Sequence, residues 1–164
     1  MEKPKFWLPA RILWNSSGRI NRLQYIAYFA IWLVTCLAIL LATNVILWAS
    51  RTFGMEWLTI GLTVLFGYGL FCLQAKRLHD MNGPAIVAAF PIGSNIVMTI
   101  VTVVMISGGH FPMQFGMPLN ALSVVSQSAS GLLSLVLFLG SGTTGPNTYG
   151  ANPSQPAPSA AEAF

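Results

Sequence analysis

One short polar stretch decides the fold of this chain: Gln74-Ala75-Lys76-Arg77-Leu78-His79-Asp80-Met81-Asn82-Gly83-Pro84. It lies between two long apolar segments and holds two of the eight basic residues, one of the four acidic residues and one of the two histidines. Charged connections between long apolar segments are typical of the loops that leave a membrane. We therefore expect the rest of the chain to hold this stretch at a membrane face.

The composition is that of an integral membrane protein. Only 7% of the residues are charged and 54% are hydrophobic, whereas soluble domains carry about 25% charged residues. A hydrocarbon core is crossed by roughly 20 apolar residues in a helix, and several segments of the chain reach that length. The expected fold class is all-α, an integral membrane bundle of four transmembrane helices that forms one multi-pass domain.

Three regions follow one another along the chain. Residues 1–20 are a basic and aromatic segment that suits the headgroup layer. Residues 21–140 form the four-helix membrane domain, with helices predicted at about 21–48, 57–79, 84–107 and 121–140. Residues 141–164 are a tail rich in Gly and Pro, whose last part cannot bury enough apolar surface to become ordered.

Two local signals support these boundaries. Asn21 followed three residues later by Gln24 has the form of a capping box, which predicts the start of the first helix. Asn82-Gly83 predicts a turn, and Pro84 suits the first position of the third helix.

Small and polar side chains recur on the faces of the last three helices. In a membrane bundle such faces usually serve close packing and hydrogen bonds between helices. A wet pathway through the bundle is the alternative for the polar faces. The faces are Thr59, Thr63 and Gly67 on the second helix, Asn95, Thr99 and Thr102 on the third, and Ser123, Gln127, Gly131, Ser126, Ser130 and Ser134 on the fourth.

Basic residues are distributed unevenly over the connections between the helices. Five precede the first helix and two follow the second, which gives seven on one side, whereas the first-to-second connection holds only Arg51. This bias predicts that both termini lie in the cytoplasm. It also indicates anionic lipid headgroups, and not nucleic acid, as the partner of the basic N-terminal segment.

The topology can be tested with single cysteines placed at Ser17 and Ser141. Both are expected to react with a membrane-impermeant thiol reagent from the same, cytoplasmic, side. An accessibility map that places the two positions on opposite sides would contradict the prediction.

The predicted topology gathers several polar side chains at the cytoplasmic face. Arg77 and Asp80 lie on one helix face at i,i+3, and Asp80 can instead pair with Arg19 or Arg22. One interpretation is a charge clamp that fixes the helix ends. The other is a binding site where arginines recruit a phosphate or carboxylate and His79 supplies a proton or a hydrogen bond. The candidate residues are Arg19, Arg22, Arg77, His79, Asp80, Asn147 and Tyr149.

The sequence predicts neither a metal site nor a cofactor. His79 and Asp80 offer two ligands where a metal site needs three or four. Cys36 and Cys72 lie inside apolar segments, where a thiol behaves as a small apolar group. No complete catalytic set is present, so no catalytic residue is assigned.

Three motifs in a fixed order resemble a known family. They are Gly18-Arg19-Ile20-Asn21-Arg22 with Tyr25, then Arg77-Leu78-His79-Asp80, then Gly145-Pro146-Asn147-Thr148-Tyr149-Gly150 with Pro153. With helices between them, residues 14–153 resemble the small bacterial inner-membrane family catalogued as domain of unknown function 805. The chain departs from that pattern at Thr148 and Asn152, where the family commonly carries a basic and an acidic residue. The resemblance implies a multi-helix inner-membrane protein without an established activity.

Three functions are compatible with these features. The favoured hypothesis is an uncharacterised inner-membrane protein, a non-enzymatic module that binds a protein partner or an anionic lipid through the cytoplasmic cluster. The second is a small transporter or channel subunit, which would need a homo-oligomer because four helices alone form no pathway. The third is a membrane enzyme that acts on a lipid phosphate, with His79 as its acid or base and Arg19, Arg77 and Asp80 around it.

Overall fold

The described residues contain a bundle of four long helices. The computed structural model describes residues 14–50, 55–107 and 113–153. The helices are α1 Arg22–Ser50, α2 Met55–Asp80, α3 Ile86–Ser107 and α4 Met113–Leu139. Each contains a segment long and apolar enough to cross a membrane, so the chain is a multi-pass membrane protein and the predicted all-α fold class is confirmed. The expectations for residues 1–13, 51–54, 108–112 and 154–164 fall outside the described residues.

The helix bounds follow the apolar runs of the sequence. The bounds of α1, α2 and α3 lie within two residues of the predicted ones. The difference is α4, which begins at Met113, eight residues before the predicted start at 121. The additional residues, 113–120, precede the apolar span Ala121–Leu139 and include Gly116 and Pro118, which are poor helix formers, so helix propensity does not explain the earlier start.

Both local boundary signals are present in the structure. The Asn21 side chain accepts a hydrogen bond from the Gln24 backbone N–H at 2.8 Å, and the Gln24 side chain accepts one from the Asn21 N–H at 3.0 Å. This reciprocal pair is the predicted capping box. At the end of α2, Asn82 adopts a positive φ of 60°, and the Gly83 N–H donates to the Leu78 carbonyl at 2.7 Å. That left-handed cap turns the chain towards α3.

The buried core lies near one end of the bundle, the end at which α1 begins and α2 finishes. We call this the charged end. Tyr25 of α1, Leu73 of α2, Ala88 of α3 and Leu137 of α4 meet there and are fully buried. Farther along the helices, large apolar side chains such as Leu41 are exposed. In a bilayer these exposed side chains face lipid tails.

Polar side chains join the helices across the bundle. The pairs are Gln74 with Ser134, Asn95 with Ser130, and Ser94 with Ser126. The predicted bonding between helices is therefore present for Asn95 and for the serine face of α4. Thr99 instead donates to the Asn95 carbonyl of its own helix at 2.9 Å. Among the small residues of α2, Gly67 makes the close approach: a Cβ placed there would lie 2.9 Å from Ile96 Cδ1 of α3.

Replacing Gly67 by leucine tests this contact. The added side chain must displace Ile96, so we expect Gly67→Leu to destabilise the bundle by about 1–3 kcal/mol, the usual cost of overpacking. The matched control is Gly61→Leu on the same helix, because a Cβ at Gly61 meets nothing within 4 Å. Denaturant unfolding in detergent measures both variants, and equal destabilisation would show that the α2–α3 contact is not tight.

Candidate functional site

A single carboxylate organises the charged end of the bundle. Asp80, the last residue of α2, has a side chain that is only 5% exposed. Its Oδ1 accepts hydrogen bonds from Arg19 Nη2 at 3.0 Å and Nε at 3.2 Å, and its Oδ2 accepts one from Arg77 Nη1. One acidic group is therefore shared by two buried guanidinium groups, each bound by charge-assisted hydrogen bonds.

Arg77 joins the end of α2 to the end of α4. Its side chain is fully buried, and its Nε donates to the Leu137 carbonyl at 3.1 Å while Nη2 donates to the Gly140 carbonyl. The last carbonyls of a helix have no partner within that helix. Arg77 therefore caps α4 while its Nη1 binds Asp80.

Arg19 joins the segment before α1 to the tail after α4. Its Nη1 donates to the carbonyls of Gly145 and Gly150 at 2.9 and 3.0 Å, and its Nη2 donates to the Thr143 carbonyl at 3.0 Å. Arginine carries five N–H donors in a fixed planar arrangement. Together with the bonds to Asp80, these contacts use all three nitrogen atoms of the Arg19 guanidinium group.

The tail folds directly onto the end of α2. The Thr143 N–H donates to the Asp80 carbonyl at 2.8 Å, and the Asn147 side-chain amide donates to the His79 carbonyl at 2.8 Å. Asn147 and Gly150 exchange two backbone hydrogen bonds and close a turn. A Cβ on Gly142 would overlap the Asp80 carboxylate, so this position has room only for glycine.

His79 and Tyr149 link the same segments through their rings. The rings stack with centroids 3.9 Å apart and planes 9° from parallel. His79 Nδ1 lies 3.2 Å from the Gly18 carbonyl oxygen. A carbonyl can only accept, so Nδ1 carries the hydrogen and donates it. The imidazole is thereby held between the N-terminal segment and the tail.

Six of the seven candidate residues are brought together. Arg22 is the exception: it is exposed at the first turn of α1, and no hydrogen bond or ion pair joins it to the others among the described contacts. The polar side chains of Arg19, Arg77, His79, Asp80 and Asn147 bind each other and the backbone, and Tyr149 stacks on His79, an arrangement that favours the charge clamp. We call these six the clamp. They are Arg19, Arg77, His79, Asp80, Asn147 and Tyr149.

A cavity of about 200 Å³ lies beside the clamp, and we call it the headgroup cavity. Lys76, which is 6% exposed, forms part of its wall. Lys76 was not a candidate residue, although it precedes Arg77 in the polar stretch. Successive helical residues point in directions about 100° apart, so Lys76 faces this cavity and Arg77 the clamp. The lining residues are Ser17, Gly18, Arg19, Ile20, Gln24, Tyr28, Lys76 and Pro153.

The described part of the chain contains no set of side chains that could bind a metal ion. Within the described parts of the chain, no group of three or more His, Cys, Asp or Glu side chains is placed to hold a metal ion. Cys36 and Cys72 are both free thiols.

The sequence of the chain is similar to that of a known protein family. The chain matches the family described as "Protein of unknown function (DUF805)" over residues 13–151. The chain belongs to this family. The resemblance seen in the three motifs is therefore confirmed, and all clamp residues of this DUF805 protein lie inside the matched region. Comparisons with curated proteins and with solved structures found no match.

The contact between Gly142 and Asp80 provides a test of the clamp in this DUF805 protein. We expect Gly142→Ala to push the tail away from the carboxylate and to destabilise the protein by about 1–3 kcal/mol, as overpacking does. Limited proteolysis of the tail after Ser141 should then be faster than in the wild type. Gly145→Ala is the matched control, because a Cβ there meets nothing within 4 Å. Equal cleavage of both variants would show that the tail is not tightly packed against Asp80 at Gly142.

Proposed function

We propose that the protein is a non-enzymatic module of the bacterial cytoplasmic membrane that binds the phosphate group of an anionic phospholipid in the headgroup cavity. The observation that carries this proposal is the charge at the charged end. The buried side chains of Arg19, Lys76 and Arg77 contribute three positive charges, and Asp80 contributes one negative charge, which leaves a net charge of +2. Anionic headgroups are the abundant counter-charges at such a membrane face.

The position of the headgroup cavity suits a phosphate. It lies where α1 begins and α2 finishes, at the charged ends of their membrane-spanning segments, and this position would be level with the lipid headgroups. Lys76 supplies a positive charge to its wall, and Gln24 and Tyr28 carry N–H and O–H donors. A phosphate in this cavity would accept hydrogen bonds from these groups and would carry the charge opposite to that of Lys76.

The distribution of basic residues supports the same assignment. Seven basic residues at the charged-end side against one on the other side favour a cytoplasmic location for this face. The cytoplasmic leaflet carries the anionic lipids in most membranes, and it attracts basic segments. The headgroup cavity would then open on the leaflet in which its ligand is found.

The geometry lends less support to the two alternatives. Asp80 and His79, the acid–base candidates of a lipid-phosphate enzyme, are held by clamp contacts and do not line the headgroup cavity. For a transporter, the polar side chains of α3 and α4 would have to face a pathway, whereas Asn95 binds Ser130 across the bundle. A protein partner at the same face is an outcome that the following experiment distinguishes.

Lipid selectivity tests the proposal. In detergent, the wild type is expected to retain phosphatidylglycerol in preference to phosphatidylcholine, as counted by native mass spectrometry. Each basic residue at a membrane surface is worth about 1 kcal/mol towards anionic lipid, so Lys76→Gln should lower this preference about fivefold. Lys76→Arg keeps the charge and should retain most of the preference.

Arg22→Gln is the matched control, because Arg22 is exposed and does not line the headgroup cavity. Its effect should be smaller than that of Lys76→Gln. Equal retention of both lipids by the wild type would overturn the proposal. A protein that co-purifies with the wild type and is lost from Lys76→Gln, with lipid retention unchanged, would assign the face to a protein partner instead.

A further inference from the structure

A second and larger cavity, of about 530 Å³, lies within the membrane-spanning part of the bundle. We call it the membrane cleft. We propose that it binds one hydrocarbon chain of a phospholipid from the leaflet opposite the charged end. Residues of all four helices form its walls. They include Trp32, Cys36 and Thr43 of α1, Thr63 of α2, Asn95 of α3 and Ser130 of α4.

The walls of the membrane cleft suit an apolar occupant. The hydroxyl of Thr43 donates to the Ile39 carbonyl at 2.9 Å, and that of Thr63 donates to the Thr59 carbonyl at 2.8 Å. These hydroxyl groups therefore donate their hydrogens within their own helices. The amide of Asn95 donates to Ser130 Oγ at 3.2 Å, and the Trp32 indole N–H donates to the Phe66 carbonyl at 3.1 Å. A hydrocarbon chain, which has no polar group, does not compete for these donors.

The membrane cleft opens sideways towards the lipid. Leu37 and Leu40 line it, yet these side chains are 49% and 58% exposed. Both lie inside the membrane-spanning segment of α1, Arg22–Thr43. The medium at this opening is the hydrocarbon of the bilayer, and an unfilled cleft would lose the dispersion contacts that a chain provides. The hydrocarbon chains of neighbouring lipids are therefore the nearest molecules that could fill the membrane cleft.

The length of the membrane cleft matches a single leaflet. Trp32 is ten residues from Arg22, which places it about 15 Å from the charged end at the helical rise per residue. Thr43 is eleven residues farther on, so the cleft is about 16 Å long. The hydrocarbon core is about 30 Å thick, and half of it is one leaflet. The cleft thus runs from mid-depth through the leaflet opposite the charged end.

Trp32 separates the membrane cleft from the headgroup cavity. Its indole lies against Gly69 of α2, where a Cβ would be 3.6 Å from Trp32 Nε1. Gln24 and Tyr28 line the headgroup cavity on the charged-end side of Trp32, and Cys36 lines the membrane cleft on the other side. The two cavities would therefore hold different lipids, and the chain site does not depend on the headgroup site.

Filling the membrane cleft with a side chain tests the proposal. Native mass spectrometry is carried out on protein purified in detergent and supplied with phosphatidylcholine, whose headgroup has no net charge to favour the basic cavity. The wild type should retain one phosphatidylcholine, and Thr63→Trp should retain at least fivefold less. Val64→Trp is the matched control: Val64 is the next residue of α2, is 43% exposed and does not line the cleft. It should retain lipid as the wild type does.

Two further measurements make the outcome decisive. Added phosphatidylcholine should raise the melting temperature of the wild type and of Val64→Trp, because a ligand stabilises the state that binds it, but not that of Thr63→Trp. Cys36→Phe fills the cleft from α1 and should reproduce the loss if Thr63→Trp does not fold. Lys76→Gln alters the headgroup cavity and not the membrane cleft, so this variant should still retain phosphatidylcholine. A failure of the headgroup proposal can therefore be distinguished from a failure of the cleft proposal. Equal retention by all variants, or a dimer that is lost in Thr63→Trp, would overturn the proposal.

Discussion

The shared carboxylate of Asp80 is the interaction on which the rest of the structure depends. Withdrawing two guanidinium groups and a carboxylate from water costs several kcal/mol per ion, about as much as their attraction returns. The additional bonds from Arg77 to the Leu137 carbonyl and from Arg19 to the Gly145 carbonyl offset that cost. Those bonds also fix the end of α4 and the path of the tail. The clamp therefore contributes more to a single defined geometry than to net stability.

The buried core lies in the half of the bundle that contains the clamp. Helices in a bilayer gain little from apolar contact, because lipid tails are equally apolar. They associate where small residues and polar bonds allow it, as at Gly67 and at the Asn95–Ser130 pair. α1 is held mainly near the charged end, by Tyr25 in the core and by Trp32 against α2. Beyond Trp32 the helices leave the membrane cleft between them.

Features with a local cause could be predicted from the sequence. Long apolar runs predict the helices, and the capping box depends on residues three positions apart, so both are visible without tertiary information. Five of the candidate residues could be named from charge and topology, and Asn147 and Tyr149 from the family motif; six of the seven meet. The contact between Gly142 and the Asp80 carboxylate could not be predicted, because the tail has no hydrophobic periodicity that would indicate where it packs. The different surroundings of Lys76 and Arg77 could not be predicted either, because they depend on which helices pack on each side of α2.

The position of Trp32 bears on whether lipids bound at the two proposed sites would be retained or would move between them. A lipid that passed from the headgroup cavity into the membrane cleft would have to cross the point where Trp32 meets Gly69, and the hydrogen bond from Trp32 to the Phe66 carbonyl would have to open. The clamp fixes the start of α1, so such an opening would require α1 to bend at mid-depth and not to swing as a rigid helix. Asn95, a polar side chain in the cleft wall, is already bound to Ser130. For the two proposed sites, this arrangement favours one retained lipid in each leaflet over a route between them.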